Sequence, residues 1–100
     1  MIARVWKGKT NIEHLEAYTA FMKERAIPDY SGVEGFVKLV FLKRTDAKYA
    51  YFDLITFWEN MEVIKGFAGS DYDKAKYYPE DQHYLIEFPE KVLHYEVFAD

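Results

Sequence analysis

Phe36-Val37-Lys38-Leu39-Val40-Phe41-Leu42-Lys43-Arg44 and Tyr49-Ala50-Tyr51-Phe52-Asp53-Leu54-Ile55-Thr56-Phe57-Trp58 decide the fold of this chain. Both stretches are rich in β-branched and aromatic residues, so both read as strands. Thr45-Asp46-Ala47-Lys48 between them is a polar turn, which makes the pair a hairpin. In the first strand Phe36, Val40 and Leu42 share one parity with Lys38, and Val37, Leu39, Phe41 and Lys43 share the other. The second is apolar on both parities except at Asp53. Strands apolar on two faces require cover on two faces.

Working outward toward the N-terminus, Ile2 to Lys7 reads as a short strand broken by Gly8. Thr10-Asn11-Ile12-Glu13 fits a capping box. Ile12, Leu15, Tyr18, Met22 and Ala26 then recur at helical spacing, which predicts an amphipathic helix stopped by Pro28. A turn-rich loop follows from Asp29 to Gly35. Toward the C-terminus, Asn60 caps a second helix carrying Met61, Ile64, Phe67 and Ala68, with Gly69 as its stop. Ser70-Asp71-Tyr72-Asp73 predicts a short third helix through Lys76, broken by Tyr77-Tyr78-Pro79-Glu80-Asp81. Gln82 to Phe88 fits a helical turn followed by an extended piece, and Pro89 isolates a last strand from Lys91 to Phe98.

The order strand, helix, strand, strand, helix, strand is the ferredoxin-like α+β pattern, βαββαβ, in a single domain over residues 1–100. Right-handed crossovers place both helices on one face of a four-stranded antiparallel sheet. The other face is then bare and apolar. A bare apolar face of that size marks an interface, and the expected partner is a second copy: a homodimer joined sheet to sheet.

Composition narrows the function classes. The chain has 100 residues, no cysteine, and a formal net charge of −4 from 13 basic and 17 acidic residues. There is no thiolate nucleophile and no cysteine-ligated metal centre. The acidic balance argues against tracking nucleic-acid phosphates. No apolar run reaches the ~20 residues of a membrane helix, and the N-terminus reads as a strand rather than a leader, so the expectation is a cytoplasmic protein without nucleic-acid or membrane partners. Aromatic residues make up 19% of the chain. They fill a core, a subunit interface or a ligand pocket.

Trp58-Glu59-Asn60 at the strand-to-helix junction and the closing Val92-Leu93-His94-Tyr95-Glu96-Val97 resemble the antibiotic biosynthesis monooxygenase family. Ile2-Ala3-Arg4-Val5-Trp6 and Ala75-Lys76-Tyr77-Tyr78-Pro79-Glu80-Asp81 resemble an uncharacterised branch of it. The resemblance spans nearly the whole chain. It implies a dimeric α+β barrel of two ferredoxin-like subunits, with a ligand cavity between each sheet and its helices. Some relatives oxidise polycyclic aromatics with O₂ and neither metal nor flavin. A haem-degrading branch uses an Asn on the first strand, a Trp on the second helix and a His ligand shortly after it. At the corresponding positions this chain has Trp6, Phe67 and Tyr77, with no His at the ligand position.

Candidate chemistry rests on a few side chains. His83 lies beside Glu80 and Asp81, in the segment without a single reading, and is a candidate acid or base or else a locally bonded loop residue. His94 sits mid-strand with Glu96 and Phe98 on its face, near Arg4 or Trp6 on the paired first strand, in a pocket or a structural ion-pair network. Arg4 shares parity with Ile2 and Trp6 on a central strand; once buried it needs a partner, with Asp53 and Glu96 as candidates, or an anionic ligand. These three are the catalytic candidates. Trp6, Trp58, Phe67, Tyr72 and Tyr77 are the candidates for holding an aromatic substrate, Trp58 being equally a core residue. His14 reads as a solvated helix residue, and the three histidines lack metal-ligand spacing.

Cofactor-free oxygenation asks the protein for desolvation, orientation and a base that makes a phenolate. The leading expectation is therefore a cofactor-independent monooxygenase acting on a small aromatic or polyketide-like substrate, with O₂ as co-substrate and no metal. The alternative from another class is a non-catalytic dimer that binds a small ligand. A haem-binding variant is the third reading.

Overall fold

The computed structural model describes all 100 residues. Strand β1 (Ile2–Asn11) leads through a 3₁₀ turn at Ile12–His14 into helix α1 (Leu15–Tyr30). Strands β2 (Phe36–Thr45) and β3 (Tyr49–Trp58) form the expected hairpin. Helix α2 (Met61–Ala68), a 3₁₀ helix at Pro79–His83 and strand β4 (Leu93–Glu96) complete the chain. The sheet order is β2-β3-β1-β4 with every pairing antiparallel, which is the ferredoxin-like α+β arrangement.

Register fixes which side chains meet. Arg4 lies opposite Thr56 on one side and His94 on the other, and Trp6 opposite Leu54. Residues directly opposite in an antiparallel pair share a face. Ala50, Phe52, Leu54, Thr56 and Trp58 are all buried, so the even-numbered face of β3 is the helix side, and Arg4, Trp6 and His94 lie on it. Here Tyr18, Met22 and Ala26 of α1 pack on Phe52 and Leu54 in the main core. Tyr30, Phe36, Trp58 and Phe67 form a second aromatic cluster, with ring centroids 5.0 Å apart for Trp58 and Phe67 and 5.6 Å for Tyr30 and Phe36. Much of the aromatic surplus is thereby accounted for.

The opposite face has no helix over it. Val40, Ile55, Val5 and Leu93 stand in register across all four strands. Leu93 and Leu42 are about half exposed, at 49% and 48%. No helix is long and apolar enough to cross a membrane.

Five local expectations are corrected. Gly8 does not end β1, which runs on to Asn11. A Cβ at Gly8 would lie 2.7 Å from the Trp6 ring, so this glycine permits a close approach within the strand. Thr10 caps no helix: it is still in β1, and its hydroxyl donates to the Asn11 carbonyl. Pro28 does not stop α1. It falls in the last turn, where it removes one backbone donor, and the helix continues to Tyr30. A register shift between Phe36 and Lys38 puts Phe36 opposite Trp58 on the face of Leu39 and Phe41, not with Val40 and Leu42. No helix forms from Asp71 to Lys76. Instead Ala75 N donates to the Glu90 carbonyl at 2.9 Å and Val92 N to the Asp73 carbonyl at 2.8 Å. Those pairings tie the segment to the stretch before β4, which is itself shorter than expected.

Candidate functional site

A cavity of about 260 Å³ lies between the sheet and α1. Arg4 and Trp6 of β1 and Leu54 of β3 form its floor. Met22, Ala26 and Tyr30, spaced four apart, line it from α1, and the small side chain at Ala26 leaves room between two larger ones. Phe67 of α2 and Val92 enclose it, together with Tyr77, Tyr78 and Asp81 from the segment that follows α2.

Arg4 is 6% exposed, and no carboxylate touches it. Its guanidinium donates to the Tyr72 carbonyl and, at 3.1 Å, to Nε2 of His94. A guanidinium has only donors, so Nε2 is the acceptor and the ring proton sits on Nδ1. Nδ1 lies 3.2 Å from Asp73 Oδ1 and donates to it. Burial, with the Arg4 charge, holds His94 below its ordinary range against the pull of Asp73, which keeps the ring neutral. Burial lowers Arg4 as well, with Tyr30 and Asp73 acting the other way.

The expected partners of Arg4 are corrected. Asp53 lies opposite Lys7 on the bare face and accepts from Lys7 Nζ at 3.2 Å. Glu96 is exposed and does not pair with Arg4. Sheet parity separates Asp53 from Arg4, because odd-numbered residues of β3 point away from the helices.

Further polar groups line this cavity: the exposed Asp29 and Lys76, and the buried Trp6 indole and Asp81. The Trp6 indole nitrogen is buried and has no hydrogen-bond partner. Asp81 is 1% exposed; its Oδ1 accepts from the Tyr18 hydroxyl at 2.8 Å and its Oδ2 from Tyr78 N at 2.7 Å. No Lys or Arg lies within ion-pair distance of it; Arg25 pairs with the neighbouring Glu80 instead. Burial pushes the Asp81 carboxyl up, while its two donors pull it down. The Tyr18 hydroxyl is pushed far up by burial and by the Asp81 charge, so it remains a donor.

Of the residues singled out from sequence, Arg4, Trp6, Phe67 and Tyr77 line one cavity. His94 stands behind Arg4 rather than on the cavity wall. Tyr72 contributes its carbonyl to Arg4, and its ring meets the edge of His94 with centroids 5.7 Å apart. Trp58 is fully buried in the aromatic cluster, its Nε1 donating to Thr56 Oγ1 at 2.9 Å, and it does not reach the cavity. His83 is exposed on the 3₁₀ helix and points into no shared site with Arg4. His14 lies 3.8 Å from Glu13 on the surface of the first 3₁₀ turn. Sequence reasoning missed the other lining residues, among them Met22, Ala26 and Tyr30 of α1 and the charged Asp29, Lys76 and Asp81. The four-residue spacing from Tyr18 carried that signal for Met22, Ala26 and Tyr30.

A haem iron takes an axial His, Cys, Met or Tyr. No imidazole lines the cavity, and cysteine is absent from the chain. The side chains there that ligate iron in principle are Met22, Tyr30, Tyr77 and Tyr78. The Tyr77 hydroxyl donates to the Pro89 carbonyl and that of Tyr78 to Asp29. Nowhere do three or more His, Asp or Glu side chains gather as a metal site.

This ferredoxin-like architecture is shared with solved structures of several proteins. Among solved structures, the haem degrader MhuD from Mycobacterium tuberculosis with two haems in its active site matches with a TM-score of 0.67 and 16% identity, over 100% of this chain and 98% of that one. An MhuD mutant with two manganese protoporphyrin IX molecules per active site matches at 0.64 and 14%, over 100% and 97%. A Bacillus cereus protein described as a candidate antibiotic biosynthesis monooxygenase matches at 0.64 and 16%, over 99% and 94%. At such identities the likeness is one of fold. No protein-family model matches the sequence, and neither does any curated protein.

Proposed function

We propose that this chain is an antibiotic biosynthesis monooxygenase-type protein whose cavity binds a small hydroxyaromatic substrate and directs its oxidation by O₂ without metal or flavin. The observation that carries this reading is the pair of buried donors, Arg4 and Trp6, in a cavity lined mainly by apolar and aromatic side chains, with Asp81 buried and Asp29 and Lys76 exposed. Arg4 is a buried cation with no carboxylate partner, and the Trp6 N–H is buried with no acceptor. A buried charge needs an opposite charge, and a buried donor needs an acceptor. A phenolate oxygen supplies both. The rings of Trp6, Tyr77, Tyr30 and Phe67 offer faces and edges for an aromatic body.

In this reading Arg4 stabilises the phenolate, the neutral His94 holds Arg4 in place, and the apolar walls of the cavity shed water from the bound ring. The substrate itself supplies the electrons: one oxygen atom enters the ring and the other leaves as water. The functional unit is a homodimer through the bare sheet faces, where the row Val40, Ile55, Val5 and Leu93 of one copy packs on the other.

The test is O₂ uptake with 1,4-dihydroxynaphthalene in the presence of a chelator. Uptake above the rate of autoxidation, with a hydroxynaphthoquinone as product, supports the proposal. Binding of the same compound without uptake moves the protein to the class of non-catalytic ligand-binding dimers. The solved haem complexes of the same fold justify one parallel titration, in which a Soret shift would favour a haem site instead.

A further inference from the structure

Asp81 is the cavity's other buried charge, the lining residues Asp29 and Lys76 being exposed. It enters from the 3₁₀ helix, whereas Arg4 rises from the sheet, so two walls carry opposite charges that do not pair with each other. Its carboxylate is buried and accepts one hydrogen bond at each oxygen. A carboxylate has about four lone-pair sites, so acceptor capacity is left over. Tyr18 and Tyr78 fix its orientation, the first from the core of α1 and the second through the backbone.

We infer that Asp81 is the general base of this cavity, taking the hydroxyl proton of an aromatic substrate whose second, conjugated oxygen is held by Arg4. The inference rests on the proposed reading of the cavity as a hydroxyaromatic site and names the substrate class within it: a ring bearing a hydroxyl conjugated to a carbonyl-type oxygen. The substrate O–H bond breaks, and the proton forms an O–H bond on Asp81. The electron pair left behind delocalises through the ring to the oxygen facing Arg4. No other reactant is needed. Burial, which already pushes the Asp81 carboxyl up, makes it a better proton acceptor than an exposed carboxylate. The exposed His83 and the Arg4-bound His94 are not placed for this step.

The probe is 4-hydroxybenzaldehyde, whose anion absorbs at longer wavelength than its neutral form. It is titrated at a pH about one unit below its own pKa, where the free compound is mostly neutral. With the unmodified protein, the bound probe shows the anion band, and the heat of binding is the same in buffers of different ionisation enthalpy, because the proton stays on Asp81. Asp81→Asn binds the probe in its neutral form, or as the anion with one proton released to buffer. Tyr18→Phe, which keeps the carboxylate, retains the anion band without proton release. A bound neutral probe in the unmodified protein, proton release to buffer there, or loss of the band in Tyr18→Phe overturns the assignment to Asp81. Failure of the probe to bind at all removes the cavity reading on which it rests.

Discussion

Arg4 on the central strand β1 and His94 on the edge strand β4 sit opposite each other, with the guanidinium donating to Nε2 at 3.1 Å. This contact fixes the imidazole as neutral, with its remaining proton directed at Asp73. A cation thus stays buried beside a neutral ring, and its charge is left for a ligand.

Replacing Arg4 by Met separates binding from folding. The buried guanidinium has no carboxylate partner, so an apolar side chain relieves its desolvation while the Tyr72 carbonyl and His94 Nε2 lose their donor; the two effects oppose, and Tm changes little. Affinity for an anionic aromatic falls by about ten- to hundred-fold, the measure of a lost charged hydrogen bond. Thermal melts and a binding titration on the same sample check both halves.

The His94 contact gives a pH dependence with a definite sign. Its folded-state pKa is depressed, so the unfolded chain binds more protons in the window between that value and the ordinary 6.5. Stability contributed by neutral His94 is therefore present above about 6.5 and declines as pH falls through that window. His94→Gln keeps an acceptor for Arg4 without titrating. Its Tm against pH lacks this component, which shows as a smaller loss on mild acidification than in the unmodified protein.

Gly8→Ala tests the close approach within β1. The new Cβ would meet the Trp6 ring at 2.7 Å, so the indole must shift. Overpacking of this kind costs about 1–3 kcal/mol. Denaturant unfolding measures the loss, and a shift in tryptophan emission reports the displaced ring.

The fold was legible in the sequence because its strongest signals were long. The two-sided apolar hairpin, the α1 stripe and the Asn60 cap all stand where periodicity placed them; the Asn60 side chain accepts from Val63 N at 3.1 Å. Single-residue punctuation was less informative. Gly8 and Pro28 are ordinary breakers by type, but one makes room for a ring and the other falls so close to the end of α1 that only two helical residues follow it. At the site, parity alone placed Arg4 beside Trp6. It could not place Asp53, whose face depends on the register between β1 and β3. Asp81 lay beyond sequence reasoning because its partners, Tyr18 and the Tyr78 amide, meet it only after α1 and the 3₁₀ helix pack together.

The bare sheet face predicts the assembly. Ile55→Lys places a charge in the middle of the apolar row without touching the helix side. Sedimentation is expected to show a dimer for the unmodified protein and a monomer for the variant, with the melt of the monomer still cooperative.

The central claim is that the Trp6–Arg4 cavity binds the aromatic ligand, and the chain's two tryptophans test it most directly. Trp58 Nε1 already donates to Thr56, whereas Trp6 Nε1 has no acceptor. In a ¹⁵N-labelled sample titrated with 4-hydroxybenzaldehyde, the indole N–H resonance of Trp6 should move downfield and saturate while that of Trp58 stays in place. A Trp6 resonance that does not move while the probe binds, or movement confined to Trp58, would contradict the account.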